Sequence, residues 1–148
     1  MRAFPFLAVA GCALWAGLAA AQGEGAPVAP EVVSGDGLRV EVPSGQEVFW
    51  QDVIWNVPGP EGMVTRFRFI APGIAAEGGV GFDAAAADMQ HLCDSFALPR
   101  LSEFGAGEAQ VVISLSAAPV EFGAAAPDVV QFFESYSVAD GACRWEMF

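Results

Sequence analysis

Lysine is absent from the 148 residues, histidine and tyrosine occur once each, and cysteine occurs three times. Without lysine a serine–lysine dyad is impossible. The chain also lacks a GxSxG elbow, a CxxC pair, a four-ligand set for structural zinc and the regular acid spacing of an EF-hand. No catalytic residue, no metal and no cofactor are therefore expected. Positive charge is scarce: six arginines face 18 acids, a formal net charge of −12. So negative a surface repels phosphate backbones and anionic lipid heads, which excludes nucleic-acid binding and polybasic membrane attachment. Charged residues of all kinds make up only 16% of the chain, while phenylalanine occurs 12 times. That composition excludes wholesale disorder.

What is present begins with an apolar N-terminus. Arg2 is followed by nearly unbroken apolar sequence from Ala3 to Leu18, and Ala19-Ala20-Ala21 offers small residues for a cut before Gln22. This is the three-part pattern of a secretory signal peptide, residues 1–21. Two rival readings fit less well. An uncleaved anchor needs roughly 20 spanning residues, and the small alanines favour removal. A lipoprotein site at Cys12 would leave an apolar mature tail. After cleavage 5 Arg remain against 18 acids, a net of −13. The expected location is periplasmic or secreted, with no membrane span after cleavage.

Cleavage leaves Cys93 and Cys143. An even count in an exported chain reads as one disulfide, here closing a long loop that the chain-entropy model values at roughly 4 kcal/mol.

Residues 22–30 are rich in Gly, Ala and Pro and read as a flexible tether. Residues 31–148 are of single-domain size. Within them Leu38, Val40 and Val42 alternate with polar residues, a half-buried strand. The segment Glu47 to Trp55 is apolar on both faces, with Val48, Trp50 and Ile54 on one and Phe49, Val53 and Trp55 on the other. Asn56 to Gly62 is turn-forming, and Met63 to Ala71 returns as a strand. Apolar residues from Phe82 to Phe96 recur at helical spacing, with Asp83 as the expected N-cap and Pro99 as the stop. Gln110 to Ser116 alternates. Val129 to Val138 fits a helix nearly as well as a strand; its β-branched and aromatic content and the following Asp140-Gly141 turn favour a strand. On the last strand Cys143, Trp145 and Met147 point one way. The expected fold is α+β, one amphipathic helix packed on a mostly antiparallel sheet of five to six strands, in the order β-β-β-α-β-β-β.

The stretches VPSGQEVFWQDVIWNVPGPEG, TRFRFIAPGIA, VVISLSAAPVEFG and CRWEMF resemble a family of small exported proteins of Rhodobacterales-type alphaproteobacteria, classed as a domain of unknown function. The resemblance runs from about residue 40 to the C-terminal residue. It implies family membership and no activity.

Two sets of residues carry the expected function. Trp50 and Trp55, on the two-faced strand, are candidate partner-binding residues. Arg66 and Arg68, two apart on a strand, share a face where paired guanidinium forks would clamp a carboxylate, phosphate or sulfate. The competing assignment for the arginines is cross-strand pairing with acids. His91 has Asp88 and Asp94 three residues away on either side, but those two lie about 240° apart around the helix and converge poorly. The expectation is an exported, disulfide-stapled domain that binds an envelope or secreted protein, or another envelope component, without catalysis. The alternative is a small-molecule or hydrolytic site near His91.

Overall fold

The computed structural model describes residues 28–104 and 110–147. The leader, most of the tether, residues 105–109 and residue 148 lie outside the described residues. Six strands form one sheet in sequential order: β1 (Glu31–Arg39), β2 (Phe49–Gly59), β3 (Gly62–Ile70), β4 (Gln110–Ser116), β5 (Gln131–Ala139) and β6 (Ala142–Glu146). Helix α1 (Phe82–Leu92) lies between β3 and β4 in the chain. Those two strands are parallel and every other neighbouring pair is antiparallel. The parallel pair follows from the crossover, because a strand that returns through a helix re-enters the sheet in the same direction. The observed fold class and element order are those the sequence predicts.

Two short turns set the register of the hairpins. Pro60 and Glu61 link β2 to β3, with Gly59 opposite Gly62. Asp140 and Gly141 link β5 to β6, both at positive φ (54° and 71°), as a two-residue hairpin turn requires. Val129–Val138 resolves as a strand from Gln131 onward. Phe132, Glu134 and Tyr136 then fall on the same side as Leu115, Ile113 and Val111 of β4.

Four boundaries differ from expectation. β2 runs on through Gly59, so the turn expected over residues 56–62 is reduced to Pro60 and Glu61. The first strand lies earlier than the Leu38–Val42 alternation suggests, because residues 40–48 form a loop; Val42 is buried there and Leu38 is exposed. α1 starts after Gly81, with Asp83 in its first turn and no side-chain cap. Pro99 does not stop the helical course. Beyond Leu92 the backbone widens into a π turn (Cys93–Ala97) and then tightens into a 3-10 stretch (Leu98–Phe104). Proline is tolerated at the start of that stretch, where a backbone N–H is least needed.

The core lies between α1 with its following turns and one face of the sheet. Ala85, Met89, Leu92, Cys93, Phe96, Leu101 and Phe104 meet Val53, Phe67, Phe69, Val111, Ile113, Leu115 and Tyr136. Phe67 is fully buried and touches Trp50, Phe96 and Phe104 through their rings. Each side chain of this size contributes about 1.5–3 kcal/mol by leaving water. The expected disulfide is present: Cys93 in the π turn joins Cys143 on β6, with Cα atoms 6.1 Å apart.

Candidate functional site: an arginine cleft on the open face of the sheet

Arg66 and Arg68 alternate with Thr65, Phe67 and Phe69 along β3, so both project away from the helix side. Strand neighbours then separate their fates. Arg68 lies opposite Asp52 of β2, whereas Arg66 lies opposite Ile54. The Arg68 fork donates from Nε to Asp52 Oδ1 at 2.7 Å and from Nη2 to Asp52 Oδ2 at 2.5 Å. Its Nη1 donates to the Val120 carbonyl at 2.8 Å, and Gln51 Nε2 donates to the same oxygen at 2.8 Å. Both members of the ion pair are largely buried, so this pairing is geometrically complete.

Arg66 has no such partner. Among the described residues no carboxylate comes within ion-pair distance of it, and its Nε is buried with no acceptor. Burial, followed by the charge of Arg68, holds its pKa below the ordinary guanidinium value. A charge taken from water without a partner is costly, and an anion arriving from solution would offset that cost.

The space around Arg66 is a cleft. A cavity of about 270 Å³ is lined by Arg66, Ser114, Gln131 and Phe133. A second, of about 380 Å³, continues along loop 117–130 past Arg68, Ser114 and Val120 to Ala125. Two hydrogen bonds to Val120, with the Ala117 N–H donating to Val130 O at 2.9 Å, hold that loop over the sheet. The cleft therefore offers a guanidinium, a hydroxyl and an amide. The exposed Glu121 at its edge disfavours highly charged anions.

The tryptophans lie elsewhere. Strict alternation would place Trp50 and Trp55 on opposite faces, but the register shifts between Trp50 and Asp52 and brings both to the helix side. Trp50 is half-buried, packs edge-on against Phe96 at 5.1 Å and donates from Nε1 to the Asp52 carbonyl at 2.9 Å. Its ring also sits tight against β1, where a Cβ at Gly35 would fall 2.5 Å from it. Trp55 is half-buried beside Phe104, with ring centroids 6.4 Å apart. The four candidate residues thus divide, two on each side of the sheet.

His91 is exposed on α1, and its flanking carboxylates are engaged elsewhere. Asp88, which a solvated polar face would expose, is fully buried. It accepts from Ser44 N–H at 2.9 Å, Ser44 Oγ at 2.6 Å and Gln46 Nε2 at 2.7 Å, tying loop 40–48 to the helix. Asp94 accepts from the Cys143 N–H at 2.9 Å and from Gln90 Nε2 at 2.9 Å. Among the described residues no group of three or more metal-ligating side chains assembles. None of their helices is long and apolar enough to cross a membrane. Sequence reasoning did not single out Ser114 or Gln131, which reach the cleft only through strand register.

The class defined by these features is a disulfide-linked α+β domain, one helix on a six-stranded mixed sheet. The chain belongs to a family of unknown function (DUF6497), whose model matches residues 15–148. No curated protein and no solved structure matches it.

Proposed function

We propose that this chain is an exported domain, working in the periplasm or outside the cell, that binds a protein partner without catalysis and seats a carboxylate of that partner against Arg66. The observation that carries this reading is the contrast within β3. In a chain with 18 acids, Arg68 is clamped by Asp52 while Arg66, two residues away, faces a cleft in which, among the described residues, no acid comes within ion-pair distance of it. The disulfide and the leader pattern support an oxidising, extracytoplasmic setting. The negative charge of the whole chain favours a partner that offers a single carboxylate over a densely anionic one.

The test is titration of the isotope-labelled protein with acetate and with sulfate, following the arginine Nε–Hε resonances. Acetate is expected to move the Arg66 resonance saturably, and Arg66→Met is expected to abolish the response. Capture from envelope extract should then retain the same partner on the wild type and lose it on Arg66→Met. A partner held equally by both proteins, or an Arg66 resonance indifferent to acetate, would sink the reading. Cell fractionation with N-terminal sequencing tests export, and a mature chain beginning at Gln22 is the expected result.

A further inference from the structure

A second concavity lies on the helix side of the sheet, between α1 and the β5–β6 hairpin. It encloses about 320 Å³ and is lined by Phe82, Ala86, Gln90, Glu134, Tyr136 and Trp145. Phe82, Ala86 and Gln90 follow one another at four-residue spacing along one side of α1. Glu134 and Tyr136 alternate on β5, and Trp145 pairs with Tyr136 from β6. The lining is chiefly aromatic and apolar, and two of its rings are open to solvent: Phe82 is 48% exposed and Trp145 53%. Phe82 is braced edge-on by Phe132 at 5.3 Å.

Glu134 gives this groove its chemistry. The residue is only 8% exposed, and it accepts one hydrogen bond, from Trp145 Nε1 at 2.5 Å. Among the described residues no arginine or histidine comes within ion-pair distance of it. A carboxylate in apolar surroundings calls for a cation, and aromatic faces attract cations in their own right. Tyr136 adds no competing charge, because burial and the nearby Glu134 and Asp94 push its phenol pKa up and keep it protonated. Gln90 has its amide N–H groups committed to Asp94 and to the Cys143 carbonyl. A primary ammonium is strongly hydrated through its three N–H donors, and a lining that is largely apolar beyond Glu134 and Gln90 replaces that hydration poorly. An alkylated nitrogen brings charge without that demand.

We propose that this groove binds a small alkylated ammonium compound, its cationic head against the Glu134 carboxylate and among the rings of Phe82, Tyr136 and Trp145. The site is on the opposite side of the sheet from Arg66 and stands or falls separately from the carboxylate cleft.

The test is calorimetric titration of the oxidised protein with three probes: choline, its uncharged isostere 3,3-dimethyl-1-butanol, and n-butylammonium. Choline is expected to bind at one site, with both other probes at least about tenfold weaker. Glu134→Gln keeps an acceptor for Trp145 and is expected to cost choline about tenfold while leaving the neutral alcohol unchanged. Trp145→Leu alters an exposed ring, so the fold should survive, and it is expected to weaken choline as well. Equal affinity for choline and the alcohol would reduce the groove to an apolar dent and overturn the proposal. Equal affinity for n-butylammonium would replace the alkylated class with a lysine-like amine, which also overturns it. So would the absence of binding up to about 50 mM choline, or choline affinity unchanged in a folded Glu134→Gln or Trp145→Leu protein.

Discussion

On the helix side of the sheet, α1 and the turns that follow it press Phe96, Leu101 and Phe104 onto Phe67 and its neighbours, and a disulfide ties the π turn to β6. On the other side loop 117–130 is held over the sheet by the Val120 carbonyl, which takes hydrogen bonds from Arg68 and Gln51, with Val120 itself buried and the Phe122 ring near the Arg68 guanidinium. The first side is held by apolar contact and a covalent link, the second by a few directed polar bonds around an ion pair. Contact energy accumulates over many atoms, whereas an ion pair in a half-dry site depends on both of its members. The two sides should therefore fail differently when cut, and the unpaired Arg66 should respond in the opposite sense from everything around it.

The sharpest cut on the helix side is Phe67→Ala, which opens a cavity among three other rings. A loss of about 4–5 kcal/mol is expected in denaturant unfolding. Replacing both cysteines by serine should cost about 4 kcal/mol, through freedom returned to the unfolded chain. A midpoint unchanged on reduction would show that the link constrains nothing. On the open side, Asp52→Ala leaves the largely buried Arg68 without its acid and should cost about 3 kcal/mol. The same change should strengthen acetate binding at the cleft by adding a second uncompensated guanidinium.

Alkaline titration compares the two sides without mutation. Tyr136 is the only tyrosine, and its folded pKa is raised by burial first, then by Glu134 and Asp94. A raised pKa means that the folded state holds its proton more tightly. Its contribution is complete below the unfolded value of about 10 and is lost as pH climbs above it. Absorbance near 295 nm should stay flat through that range until the protein unfolds; an ordinary phenolate titration in the folded protein would contradict the burial argument. The smallest effect is expected from Arg66→Met. Because its guanidinium is partly desolvated and, among the described residues, has no ion-pair partner, removal should leave the thermal midpoint unchanged or slightly raised. A clear fall would mean that Arg66 has a structural partner after all.

Much of the fold was legible because it is written in local periodicity. The α1 stripe, the alternation of β4 and the Asp140-Gly141 turn each appear in a short window of residues. The first strand was misplaced because Leu38, Val40 and Val42 alternate as a strand does, yet Asp88 gathers three hydrogen bonds from Ser44 and Gln46 and holds that segment as a loop. The faces of Trp50 and Trp55 were unreadable for a related reason. One register shift reverses the parity of everything beyond it, and nothing in the local composition announces it. The shared face of Arg66 and Arg68 was legible from their spacing. Which of them finds an acid was not, since that depends on Asp52 and Ile54 arriving opposite from a different strand. The Glu134 groove combines three separate segments and leaves no mark in any one of them.

Strand β1 has a consequence for how molecules of this protein meet. It is an outer strand of the sheet, and all its residues but Gly35 are exposed. Its register slips between Ser34 and Leu38, where Asp36 and Gly37 take positive φ and the Ser34 hydroxyl bonds to Asp36 at 2.9 Å. An incoming strand would find a usable hydrogen-bonding rim of only a few residues on either side of that kink. Edge-to-edge pairing is favoured by a longer unbroken rim, so the kink shortens what β1 offers to the sheet of a neighbouring copy.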